Sequence, residues 1–111
     1  MQIIEREKGS VTILDVSGSL TIGEGDIELR DAVLEVLAGG PKNILLNMKN
    51  VRKMDSSGVG ELVAAYTSTR NRGGELKLTQ LSPKVGAVLQ VTRLVGILEM
   101  FDDEETAIAS F

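Results

Sequence analysis

Apolar and polar residues fall into short blocks whose period switches between two and 3.6, and each switch marks an element. Residues 2–6 and 11–17 are β-type runs on either side of Lys8-Gly9-Ser10, and they predict an opening hairpin. In the second run Val11, Ile13 and Asp15 alternate imperfectly with Thr12, Leu14 and Val16, as in a strand largely covered on both faces. Residues 18–25 hold three glycines and no apolar period, which predicts a loop. From Asp26, the residues Ile27, Leu29, Val33, Val36 and Leu37 keep helical spacing until Gly39-Gly40-Pro41 stops it. Residues 43–48 are a short apolar run between breakers and predict a central strand. Polar residues 49–53 then read as a loop leading to Asp55-Ser56-Ser57-Gly58.

A second helix is expected from that turn to about Arg72, with Leu62, Val63, Tyr66 and Ala65 inward, ending at Gly73-Gly74. Residues 75–80 alternate Leu76 and Leu78 with polar positions, a strand. Ser82-Pro83 is a strong helix start, because serine can cap and proline is preset for the first turn. That helix carries Val85, Val88, Leu89 and Val91. Residues 97–101 read as the last strand. Asp102 or Asp103 then caps a short final helix whose first turn holds Glu104 and Glu105, where negative charge is favoured. Strands alternating with helices after a hairpin predict one α/β domain over residues 1–111. Its sheet is mixed but mostly parallel, with the hairpin as antiparallel edge and about four flanking helices.

Composition narrows the function more than the fold. Aromatics make up 3% of the chain, so Val, Leu, Ile, Ala and Met must build the core. The net charge of -4 argues against a general nucleic-acid or anionic-membrane binder, which needs a basic surface. With no cysteine and no histidine, disulfides, thiol nucleophiles, Ser-His triads and the usual zinc sites are all excluded. No cofactor or metal site is expected. No apolar run approaches the roughly 20 residues that cross a bilayer. The first residues alternate and are acidic, unlike a basic-then-apolar signal, so a cytoplasmic protein is the expectation.

The turn Asp55-Ser56-Ser57-Gly58 is the leading candidate site. Asp and Ser are preferred helix caps, and capping alone accounts for one of them, at about 1 kcal/mol. Here three small polar residues stand in a row. Gly58 and Gly60 follow, each costing a helix roughly 0.5–1 kcal/mol against alanine, so another backbone or a ligand should come close. A serine at a helix N-terminus can carry an anion, and phosphorylation would add about -1.5 to -2 charge there. Catalysis is not expected: no His, Cys or lysine pattern supplies an activating base, and the elbow G-x-S-x-G is absent. Gly23-Glu24-Gly25-Asp26 lacks phosphate-loop spacing and is assigned to the helix start. The acidic cluster 102–105 is assigned to a capped helix.

Met54-Asp55-Ser56-Ser57-Gly58-Val59-Gly60, preceded by Ile44-Leu45-Leu46-Asn47-Met48, resembles the signature of STAS domains, above all the small anti-sigma-factor antagonists. The resemblance extends over nearly the whole chain, through Gly18-Ser19-Leu20, Gly39-Gly40, Gly73-Gly74 before Leu76-Lys77-Leu78, and the acidic final helix. It implies a partner-switching cycle. The unphosphorylated antagonist binds an ATP-dependent anti-sigma serine kinase and frees a sigma factor; the kinase phosphorylates Ser56 and the complex separates; a serine phosphatase resets the switch. Asp55 would hold the phosphoacceptor turn, and Thr21, Asp55, Ser57, Gly58, Val59 and Gly60 would face the partner. Two positions depart from the family pattern. Thr21 and Asn47 stand where many members have Asp, and both remove negative charge near the expected kinase-facing end, where Arg52 and Lys53 add positive charge. The resemblance also admits a second role, a non-phosphorylated structural subunit of a stressosome-like or lipid-transport complex. Oligomeric state is left open.

Overall fold

The computed structural model describes residues 1–91 and 96–111. Five strands run in the order β1 (Gln2–Lys8), β2 (Val11–Leu20), β3 (Asn43–Met54), β4 (Glu75–Thr79) and β5 (Met100–Phe101), and they neighbour one another in that same order. The β1–β2 pair is antiparallel and closes through Gly9, which turns at positive φ. All later pairs are parallel. The crossovers are helices α1 (Asp26–Leu37), α2 (Ser56–Asn71) and α3 (Pro83–Val91), and α4 (Glu104–Ala109) closes the described chain. The mixed α/β sheet with an N-terminal hairpin and four helices is therefore the architecture expected from the sequence.

The two faces of the sheet are covered unequally. Leu14, Val16, Leu20, Ile44, Leu46, Met48, Leu76 and Leu78 meet Leu29, Val33, Leu62, Val85 and Leu89 of α1 to α3 in one core. On the opposite face Val11, Ile13 and Leu45 meet, among the described residues, Ala107, Ile108 and Phe111, with Phe101. Lys77, a polar position in the alternation of β4, is buried under the final helix, where Nζ donates to Ser110 O at 2.8 Å and Ser110 Oγ at 3.0 Å. The Phe111 ring lies 4.8 Å away, a cation–π contact that helps a lysine survive there.

Several boundaries move relative to expectation. β2 continues through residues 18–20, read as loop, and β3 continues through residues 49–54. The reason is two irregularities in the β2–β3 register, each giving β3 one extra residue, so Val51 and Met54 are both buried although three apart. Period-two reading cannot follow a bulged strand. β5 shrinks to Met100–Phe101, since of residues 97–101 only these pair with β4, while Leu98 is buried beside it. Within the helices Leu62 and Ala65 are buried as expected, Tyr66 packs against the core and Val63 is only half-buried, whereas Ile27 is 55% exposed. Val91, placed on this third helix by the sequence, has its side chain outside the described residues.

Candidate functional site

The site is built where β3 hands over to α2. Asp55 has extended backbone angles and is the N-cap of α2, its Oδ1 accepting from Gly58 N at 3.1 Å. Its second oxygen, Oδ2, accepts from Ile22 N at 3.1 Å, and its own N–H donates to Leu20 O at 3.3 Å. One aspartate thus ties the helix start to the end of β2 and the turn that follows. Donation from Ile22 and then Gly58 holds its carboxyl below the usual carboxylate range. Ile22, joined to Asp55 from 33 positions away, had no signal in the sequence; no local pattern reports a contact of that separation.

Ser56 and Ser57 occupy the first turn of α2, with Ser56 exposed and Ser57 half-buried. Among the described residues neither hydroxyl has a hydrogen-bond partner. The cap is Asp55, which leaves both serines free of the bland role that either could have taken. The helix behind them is 16 residues long and has no acidic side chain in its first turn, so its positive end is uncompensated except by Asp55.

The two glycines separate. A Cβ on Gly58 would lie 2.2 Å from Leu20 O, so the expected close backbone approach is real at this position. At Gly60, exposed, a Cβ would meet nothing within 4 Å. Val59 is buried and packs into the main core. Thr21 sits across from the serine turn, in a tight loop in which its N–H donates to Glu24 O at 2.9 Å and Glu24 N donates to Thr21 O at 3.0 Å. Gly25 caps α1 at φ 88° without a side chain, and a Cβ there would lie 2.1 Å from Ser19 O, which accounts for the glycine in Gly23-Glu24-Gly25-Asp26. Asn47 lies away from this group. Its amide donates to Gln80 Oε1 at 3.0 Å and Glu104 Oε1 at 3.2 Å, under α4 rather than at the serine turn. Arg52 and Lys53 are strand residues of β3, exposed, and not a solvated loop.

No group of three or more potential metal ligands occurs among the described residues. No helix among them is long and apolar enough to cross a membrane.

Comparison with known proteins places this geometry. A model described as the STAS domain matches residues 2–107. The chain belongs to the STAS-domain family. An anti-sigma F factor antagonist of Paenibacillus polymyxa is 28% identical over 108 residues, covering 97% of this chain and 92% of the relative. The crystal structure of a candidate anti-sigma factor antagonist from Thermotoga maritima superposes with a TM-score of 0.88 at 27% identity, covering 97% of this chain and 92% of that one. The anti-sigma factor antagonist SpoIIAA in its unphosphorylated form shares the fold with a TM-score of 0.79 at 23% identity, covering 96% and 93%. The relatives at 26–28% identity are named anti-sigma factor antagonists.

Proposed function

We propose that this STAS domain binds an anti-sigma factor that is also a serine kinase, and that phosphorylation of Ser56 releases it. The observation that carries the reading is the division of labour at the start of α2. Asp55 takes the whole capping role, while Ser56 is exposed with its hydroxyl unpartnered. The relative from Paenibacillus polymyxa is named for opposing an anti-sigma factor, and SpoIIAA is known in both unphosphorylated and phosphorylated forms.

The physics of release needs no catalytic group in this chain. Transfer of a γ-phosphoryl group from ATP to Ser56 Oγ would put a dianion one residue from the Asp55 carboxylate. The helix N-terminus tolerates that charge in the free protein. A partner packed over the turn would have to desolvate it, at a cost well above that of burying a hydroxyl. Ile22, 78% exposed and held beside the turn by Asp55, supplies an apolar contact next to the switch. Thr21, Ser57 and Gly60 complete the proposed docking surface. Gly58 and Val59 act from behind it, as spacer and core anchor.

The test is phosphate transfer from the cognate kinase to wild type, Ser56→Ala and Ser57→Ala proteins, with the modified residue mapped by mass spectrometry. Labelling is expected in wild type and Ser57→Ala and lost in Ser56→Ala. Labelling that persists in Ser56→Ala would remove Ser56 from the reading.

A further inference from the structure

α4 covers only part of its face of the sheet. The rest is open, and it is polar. By strand register Gln2 pairs with Ser17, Ile4 with Asp15, and Asp15 with Asn47, which puts these side chains on the uncovered face. They line a depression of about 360 Å³ that continues, through Gln2, Ser17, Lys49 and Asn50, into a second of about 630 Å³ reaching Gly18 and Arg52. The trough is of the size that small-molecule sites occupy.

Among the described residues Arg6, Arg30, Arg70 and Lys77 are committed to ion pairs, while Lys8, Lys42, Lys53, Arg72 and Lys84, like Lys49 and Arg52, form none. Lys49 and Arg52 have no ion-pair or side-chain hydrogen-bond partner among the described residues, and both line the same depression. The one acidic side chain in the lining, Asp15, is neutralised by Arg6, whose Nε and Nη2 donate to its two oxygens at 2.6 and 2.9 Å. Arg6 also holds Glu104, which takes the amide of Asn47, so a closed polar network walls the trough off from α4. What remains is two free cations beside the side-chain amides of Gln2 and Asn50, a donor set suited to phosphate oxygens.

We propose that this trough binds a small phosphate-bearing anion, held by Lys49 and Arg52 with Asn50 and Gln2 as neutral donors. The site lies on the sheet face opposite α1 to α3, so its occupancy does not depend on the Ser56 reading.

Pyrophosphate is the probe. Titration into the full-length, isotope-labelled protein, followed by amide chemical shifts, is expected to give saturable changes at Ser17, Lys49 and Asn50 that weaken as salt is raised. The double variant Lys49→Gln/Arg52→Gln is expected to bind at least about tenfold more weakly, since two charge-assisted contacts are lost. Both residues are exposed and unpartnered, so its melting temperature should match wild type. The control Arg72→Gln removes a cation elsewhere and should bind as wild type does. Unsaturable shifts, equal weakening in the control, or unchanged affinity in the double variant would each overturn the proposal. Retention on phosphatidylglycerol vesicles without saturable pyrophosphate binding would overturn it too.

Discussion

At the scale of the residue, two glycines two positions apart in the sequence prove physically opposite. Gly58 and Gly60 look alike in the first turn of a helix, and both suggest something close by. Only Gly58 has it: Leu20 O stands where a side chain would begin. Gly58→Ala is therefore expected to lose about 2–3 kcal/mol, the scale of overpacking against a backbone that cannot yield. Gly60→Ala is expected to gain about 0.5–1 kcal/mol, the intrinsic preference of a helix for alanine. Urea unfolding of both variants checks the pair, and matching signs would contradict the packing described. The cap at Ser82 was legible, and that of the final helix was narrowed to Asp102 or Asp103, because capping is local: Ser82 Oγ accepts from Val85 N at 3.2 Å and Asp103 Oδ1 from Thr106 N at 2.7 Å. At the head of α2 three small polar residues in a row offered the role, and Asp55 holds it. The tie from Asp55 to Ile22 was not, because it depends on two segments meeting.

At the scale of the element, α4 is too short to stand by propensity and is held by its contacts. Arg6 bridges Asp15 and Glu104, and Asn47 donates to Glu104 from β3. That bond explains the amide at position 47 without reference to a partner. Asn47→Asp would replace a donor with a carboxylate facing Glu104, so a loss of about 1–2 kcal/mol is expected by thermal or urea unfolding. Asn47→Ala, which adds no charge, should lose less.

Glu104 has its pKa lowered, first by the hydrogen bond from Arg6. A carboxyl with a depressed folded value contributes stability that is fully present above its unfolded value, about 4.3, and is lost as pH falls through the folded one. Stability should thus decline below about pH 4, and Glu104→Gln should be less stable at neutral pH but show a shallower acid decline. Melting temperatures from pH 7 to pH 3 read both. The covering helix also explains how Lys77, a polar position in the alternation of β4, comes to be buried. Sequence period tells which face a residue takes, not whether something lies on that face.

At the scale of the whole molecule, the order of strands and crossovers was legible from alternating periods because each helix carries its own apolar stripe and stop signal. The bulged far half of β3 was not, since its extra residues break the period just before the site. The outcome is a domain with two separate candidate surfaces. One is the start of α2, where β2, β3 and the turn at Thr21 converge on Asp55. The other is the polar half of the sheet that α4 leaves open. The fold itself is shared by proteins of different roles, so the argument for a switch rests on the first surface and on the antagonists to which this chain is related.

One comparison of affinities tests the switch most directly. The purified anti-sigma factor should be titrated with this protein unmodified and with the same protein phosphorylated at Ser56, verified by mass spectrometry. Tight binding of the unmodified form and at least a tenfold weaker Kd for the phosphorylated form are expected, since the dianion at the head of α2 must be desolvated on docking. Equal affinity of the two forms would contradict the account.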